Sequence, residues 1–311
     1  MTHIQVIVVG SFVQDLNWTC VEFPTAGQTI LGEFSTGPGG KGSNQAVAAG
    51  RAGASTLFIG AIGNDGMGQG AKDFYKREGI RHHFVKKERP TGTAAILVNK
   101  AGQNEIVVAL GANEELNASD FTPAAFLLSK IVVTQLETNL SASKAALQYG
   151  KAAGATTILN PAPMRPDFSF DILKDVDILI PNETEFVTLL NLKDPTLSFS
   201  EAKLTSSTAD QIHALARTLG VATVIVTLGS RGCLVSKATG STFINSFKVK
   251  AVDTTGAGDA FVGGFAAGLL KHNGNIDHAA IYGSAVAALS VTKKGTAPAM
   301  PTEAEITAFL S

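Results

Sequence analysis

The sequence has little of what disulfide frameworks, metal centres and nucleic-acid surfaces are built from. Among its 311 residues there are two cysteines, Cys20 and Cys233, one tryptophan and three tyrosines. Two cysteines without paired spacing exclude a disulfide framework and a thiolate zinc site, so both read as reduced, partly buried thiols. The six histidines show no ligand spacing, and the single tryptophan, Trp18, reads as a packing residue. Charge is also sparse: 16% of residues are charged, the net charge is −1, and no long basic run occurs. That removes the electrostatic pull toward nucleic acid or an anionic membrane and leaves a small molecule as the expected partner. No apolar run approaches the ~18 residues needed to cross a bilayer. The opening MTHIQVIVVG lacks a basic n-region and a small-residue cleavage site, and its apolar run is strand-sized; the cytoplasm is the expected compartment.

What the sequence does have is glycine and short apolar runs. Thirty-two glycines gather at the ends of those runs, and 45% of residues are hydrophobic, enough for one large core. QVIVV, TLFIGAI, KIVVTQL, TTILN, VDILI and ATVIVTL read as buried parallel strands. Between them, helical spacing covers Ser43 to Ala52, Gly66 to Glu78, Ser141 to Ala153, Glu183 to Leu190, Asp210 to Leu219 and Asp259 to Leu269. The alternation predicts an α/β three-layer sandwich with a mostly parallel central sheet. Two stretches break the rhythm, Asp15 to Phe34 and Thr91 to Leu110, the second reading as a hairpin around KAGQNE. Strands without intervening helices do not suit a parallel sheet. They predict a small β-sheet lid, contributed from about residues 12–36 and 91–110, on a single domain spanning 1–311.

The strongest local signal is KVKAVDTTGAGDAFVGGFAAGLL. It reads as an apolar strand, then Gly256, Ala257 and Gly258, then a helix of small residues. Free N–H groups in a helix's first turn, with the dipole behind them, can hold a phosphate, and glycine lets the anion approach closely. Asp259 stands beside that seat, where the helix start is expected to keep it ionised and able to accept a hydroxyl proton. Capping of the helix by Asp259 is the competing reading. The segment is neither commonplace nucleotide motif: no GxxxxGK[ST] occurs, and Phe261 replaces the third glycine of GxGxxG.

A second loop, GPGGKGSNQAVAAGRAG, surrounds Lys41 with glycines. Lys41 and Asn44 offer donors, and Asn44 an acceptor, to a polyhydroxylated ligand. A turn with Ser43 or Asn44 as helix cap is equally compatible. Glu137, Glu183 and Glu185 follow apolar strands, where open parallel sheets gather ligands. Asn182 and Glu185 suit water-mediated Mg²⁺, or simply a helix cap with first-turn acids. VIVTLGSRGC places Thr227, Gly229 and Gly232 where they could border a nucleotide, although an ordinary hairpin has the same pattern.

Together, GGKGSNQAVAAGRAGA, NPAP at Asn160 to Pro163, PNETE and AVDTTGAGDAF occur in the order found in the ribokinase (PfkB) family of carbohydrate kinases, which the chain resembles over essentially its whole length. The resemblance implies ATP-dependent phosphorylation of ribose at O5, with Asp259 as base and the amides around Gly256, Ala257 and Gly258 as anion hole. It implies that Asp15, Gly40, Lys41, Asn44 and Glu137 hold the sugar. Asn182, Thr227, Gly229, Ser230, Gly232, Gly258 and Ser284 would border ATP, with Asn182 and Glu185 near Mg²⁺. It further implies activation by K⁺ at Asp253, Thr255, Ser290, Lys293, Gly295 and Ala299, mostly through backbone carbonyls, and a homodimer paired through the lid.

Three positions depart from the family pattern. Ala299 stands where many relatives have serine, which predicts a weaker or water-completed cation site. Ser284 stands where relatives often carry Asn or His beside adenine. Val13 replaces the asparagine commonly directed at the sugar; a site built to hydrogen-bond a hydroxyl discriminates strongly against its absence, whereas an apolar wall rejects an added hydroxyl only weakly, so a relaxed preference for ribose over 2-deoxyribose is expected. Kinases of the same fold acting on 2-deoxyribose, another sugar or a nucleoside are the alternatives, Phe12 and Phe23 being the candidate base platforms. A catalytically inactive binding protein would show erosion at the base or anion hole, and both are intact.

Overall fold

The computed structural model describes residues 3–311; Met1 and Thr2, the start of the segment read for a leader, lie outside the described residues. The chain begins with β1 (Val6–Val9), β2 (Val13–Thr19), β3 (Glu33–Gly39), α1 (Lys41–Arg51), β4 (Thr56–Gly63), α2 (Gly66–Glu78) and β5 (Arg81–Lys87). It continues through β6 (Gly92–Val98), β7 (Asn104–Ala109), β8 (Ile131–Thr134), α3 (Leu140–Ala152), β9 (Thr156–Leu159) and β10 (Ile178–Leu179). The last part holds α4 (Glu183–Lys193), α5 (Glu201–Ser206), α6 (Ala209–Thr218), β11 (Thr223–Thr227), β12 (Gly232–Lys237), β13 (Gly240–Asn245), α7 (Ala257–Lys271), α8 (Ile276–Ser290) and α9 (Glu303–Leu310).

Nine strands form the main sheet in the order β13-β12-β11-β10-β9-β8-β1-β4-β5. All its pairings are parallel except those of β12 with β11 and β13. Alternating side chains of a strand point to opposite faces, so a strand covered on both sides must be apolar throughout. β1 obeys this: Val6 and Val8 join the cluster containing α1, α7 and α8 residues, while Ile7 and Val9 join the cluster against α3. Ile225 and its neighbours Val224 and Val226 divide between faces in the same way.

The chain leaves β1 toward β4 and β5 on one side and returns on the other through β8 to β13, so the order reverses beside β1. Ligand crevices form at such reversals, outside the carboxyl ends of the strands. The first turn of α7 borders the crevice, and its small residues admit close neighbours on α1 and α8. A Cβ on Gly263 would lie 2.4 Å from the Gln45 carbonyl of α1, and one on Gly264 would lie 2.6 Å from Val286 of α8.

The lid is a four-stranded sheet in the order β3-β2-β6-β7. β6 and β7 form the expected hairpin. The middle strands β2 and β6 pair in parallel, with the long excursion through α1, β4, α2 and β5 as the crossover. The strand expected over KVKAV is absent. Residues 246–256 form an irregular loop beyond the sheet edge, and Val252 and Asp253 donate to the Val291 carbonyl instead of joining a ladder.

Candidate active site

α7 starts at Ala257, with Gly256 in the left-handed region at φ 77° and no side chain capping the helix. That backbone angle is available to glycine at little cost, and it lets the chain turn directly into the helix. Ala257 N–H donates to Thr254 and Ala260 N–H to Gly256, but among the described residues no acceptor meets the N–H groups of Gly256, Gly258 and Asp259. The turn therefore presents unpaired donors at the positive end of a fifteen-residue helix, an arrangement suited to an anion.

Asp259 is not a cap. Its carboxylate is buried and faces α1, where Asn44 Nδ2 donates to Oδ2 at 3.0 Å and Gln45 Nε2 to Oδ1 at 2.9 Å. Burial pushes its pKa above the ordinary carboxylate range, against the pull of Lys41 and of the two amides. A carboxylate so raised is a better proton acceptor near neutral pH than an exposed one.

α1 begins at Lys41, ahead of Ser43 and Asn44, so neither caps it; Gly40, at φ 89°, is the capping position. Asn44 Nδ2 is occupied by Asp259, while Asn44 Oδ1 is buried without a partner, an acceptor left for a ligand donor. Burial opposes the charge on Lys41, yet the nearby carboxylates of Asp259, Glu137 and Glu185 raise its pKa overall. Glu137, just past β8, accepts from Ser11 Oγ at 2.6 Å and from Lys41 N–H at 2.9 Å. It thereby ties the end of β8 to the loop after β1 and to the start of α1. Asp15 and Val13 lie on β2, the lid strand entering this region; Val13 is buried opposite Gly39, and burial pushes the Asp15 carboxyl up to about 6.

Beside Asp259 lies a cavity of about 160 Å³ bordered by Lys41, Asn160, Asn182, Glu185, Thr227, Thr254 and the Gly256–Asp259 turn. Asn160, Asn182 and Thr227 stand at the carboxyl ends of β9, β10 and β11, side by side in the sheet. Asn182 does cap α4, in a reciprocal box with Glu185: Asn182 Oδ1 accepts from Glu185 N–H at 2.8 Å, and Glu185 Oε2 accepts from Asn182 N–H at 2.9 Å. Asn182 Nδ2 holds the other carboxylate oxygen at 3.0 Å. Burial raises the Glu185 pKa despite these bonds and Lys41.

Gly229, Ser230, Gly232 and Ser284 do not border this cavity. Gly229 and Ser230 form the short turn between β11 and β12, and Ser230 accepts from Ser246 Oγ. At Gly232 a Cβ would lie 2.0 Å from the Ile244 carbonyl, so that glycine is required by the β12–β13 pairing itself. Ser284 is buried on α8 against Cys233. Asp253 bridges two loop segments, accepting from Thr255 N–H at 3.0 Å and Gly295 N–H at 2.9 Å. Ser290 Oγ donates to Ala287, Lys293 Nζ to Glu305, and Ala299 is buried in a 3-10 turn.

Residues 3–303 match the pfkB family of carbohydrate kinases. The chain belongs to that family. It is 38% identical over 308 residues to a ribokinase of Haemophilus influenzae, covering 97% of each chain. It is 34% identical over 314 residues to a deoxyribokinase of Salmonella typhi, covering 98% of each. Its fold matches the structure of Arabidopsis thaliana ribokinase complexed with ribose and ATP with a TM-score of 0.84 at 28% identity, covering 100% of this chain and 99% of the other.

The polar chain behind the carbohydrate kinase's acid was not read from sequence. Gln45 Nε2 reaches Asn160 Oδ1 at 3.0 Å as well as Asp259, Gln135 Nε2 donates to Gln45 Oε1 at 2.6 Å, and Asn160 Nδ2 donates to the Ile180 carbonyl at 2.8 Å. The available signal was a pair of amides, Asn44 and Gln45, in the first turns of an otherwise alanine-rich helix. Conversely Phe12, a candidate base platform, is fully buried edge-on to Phe84, with ring centroids 5.9 Å apart. It belongs to the core.

Proposed function

We propose that this chain phosphorylates ribose at O5 using ATP, with Asp259 as the general base. The observation that carries the reading is a buried carboxylate gripped by two amides and set one turn from unpaired helix N–H donors. Base and anion seat then flank one point. Asp259 takes the proton from the O5 hydroxyl, a bond forms between O5 and the γ-phosphorus, and the bond from phosphorus to the β–γ bridging oxygen breaks, releasing ADP. The amides of Gly256, Ala257 and Gly258 stabilise charge on the equatorial oxygens. Asp15, Gly40, Lys41, Asn44 and Glu137 hold the sugar beneath the lid; the free Asn44 acceptor and the glycine-rich approach support this. Thr227, Gly229, Ser230, Gly232 and Ser284 form the nucleotide side with Asn182 and Gly258. Asn182, Thr227 and Gly258 have the cavity itself in support, and the other four rest on the family resemblance.

Mg²⁺ fits beside Asn182 and Glu185: each Glu185 oxygen is fixed by an amide, leaving lone pairs for metal-bound water. When bound it neutralises phosphate charge. K⁺ fits the loops joined by Asp253, because among the described residues no hydrogen bond ends on the backbone carbonyls of Asp253, Thr255, Gly295 or Ala299. Ser290 and Lys293 complete that segment, and the ion would supply positive charge behind the anion seat. Ala299 brings no hydroxyl to it.

The lid leaves Leu31 96%, Phe34 57% and Val107 72% exposed, and pairing of two lids in a homodimer would cover them. Among the described residues no helix is long and apolar enough to cross a membrane, which is compatible with the proposed cytoplasmic location. Phosphorylation of 2-deoxyribose is the second reading, favoured by the buried apolar Val13 at the root of the lid. An ADP-release assay coupled to NADH oxidation, run with ribose, 2-deoxyribose, fructose and adenosine with and without K⁺, tests the proposal. Ribose is expected to give the highest kcat/KM and K⁺ to raise it. Sugar-independent ADP release, or preference for adenosine, would overturn it.

A further inference from the structure

Asp15 is a half-buried carboxylate on lid strand β2, close enough to Glu137 and Asp259 to feel their charge, and among the described residues it has no cationic partner. The one hydrogen bond that ends on its carboxylate among those residues comes from Thr296 Oγ1, at 3.3 Å. Thr296 is remote in sequence, in the loop before the turn at Ala297–Ala299, and is itself buried. The same hydroxyl lies 3.1 Å from the carbonyl of Pro38 on β3. β2 and β3 are paired with Gln14 opposite Pro38 and Asp15 opposite Gly37, so one hydroxyl meets both strands at the root of the lid. The methyl side of Thr296 faces the anion turn: a Cβ built on Gly256 would lie 3.5 Å from Thr296 Cβ and Cγ2. Gly39 leaves the space the acid occupies, since a Cβ there would lie 2.3 Å from Asp15 Oδ2.

We propose that Thr296 is a positioning residue for sugar binding: its hydroxyl aims the Asp15 carboxylate at the sugar and pins the lid root to the loop that backs the anion turn. The inference rests on the reading of Asp15 as a sugar ligand. A hydroxyl has one proton, so the donation is divided between Asp15 and Pro38. Its loss leaves Asp15 free to rotate away and the lid root loose, which weakens binding of the sugar more than the transfer step. No contact of Thr296 with the sugar or the phosphoryl group is involved.

The test is steady-state kinetics on the full-length enzyme with ribose and ATP. Thr296→Val keeps the shape and the Gly256 contact but removes the proton. It is expected to raise the KM for ribose about three- to tenfold, the range for one ordinary hydrogen bond, as suits a proton shared between two acceptors, while kcat changes less than twofold and the KM for ATP is retained. Thr296→Ser should restore the ribose KM. In an Asp15→Ala background, Thr296→Val should add nothing further to the ribose KM. An unchanged ribose KM in Thr296→Val, equal effects on ribose and ATP, failure of the serine to rescue, or full additivity with Asp15→Ala would each overturn the inference. If Asp15→Ala alone leaves the ribose KM unchanged, the reading of Asp15 falls, and the role of Thr296 falls with it.

Discussion

The body and the lid of this molecule solve opposite problems. In the body, β1, β8 and β11 are sealed between helices, and the acid on α7 is fixed by two amides from α1, of which Gln45 is itself tied to Gln135 and Asn160. In the lid, all six residues of β7 are exposed, and among the described residues no helix covers the sheet face carrying Val107. On the proposed reading the body holds geometry for proton and phosphoryl transfer, while the exposed face of the lid is left for pairing. Chemistry needing sub-ångström placement belongs on the sealed part, and ligand entry belongs on the open one.

The largest effect should come from the body. Asp259→Asn preserves shape and removes the base, so kcat should fall roughly 10²-fold or more with the ribose KM little changed. A folded variant with near-native kcat would place the chemistry elsewhere and erase the contrast.

The next effect lies on the lid strand, in stability. The native Asp15 carboxyl titrates at about 6, above its ordinary value of 3.8, because burial penalises its charge. Between those values the native state retains a proton that the unfolded chain releases, so wild-type stability declines as pH rises through that window. Asp15→Asn removes the penalty. At pH 8 it should be more stable than wild type by about 3 kcal/mol, with most of that gain gone by pH 4, as read by urea unfolding. Sugar affinity should fall at the same time. An equal gain at both pH values would show that the acid's charge is not the cause.

The smallest effect is one of selectivity. Val13→Asn should raise the ribose preference over 2-deoxyribose by about 3- to 10-fold in kcat/KM, since a polar group built for a hydroxyl is left unpaired without it. Unaltered preference would remove Val13 from the sugar site.

The same contrast governs what could be read in advance. The body's strands were legible because β-branched runs bounded by glycine, asparagine and proline have few other solutions. α8 was not: it is buried on nearly every side between α7 and β12, so it has no amphipathic stripe to betray it. KVKAV misled because its alternation is that of a strand, yet it lies beyond the sheet edge and bonds to Val291. β5, with the charged RHHFVKK pattern, is an edge strand and lacks the apolar signature of its neighbours. In the candidate site, Asp259 and the glycine turn were marked by local spacing. Gln45 and Thr296 were not, because the partners that give them meaning lie 214 and 281 residues away. Local pattern reveals the elements, and only the closed fold reveals which amide or hydroxyl supports which acid.

The central claim is that the body's acid directs phosphate onto one oxygen of ribose. It is tested most directly by incubating the enzyme with ATP, Mg²⁺ and uniformly ¹³C-labelled ribose and reading ³¹P–¹³C coupling by NMR. The account predicts coupling to C5, matched one-to-one by ADP and lost in Asp259→Asn. Phosphate on C1, or ADP accompanied only by inorganic phosphate, would contradict it.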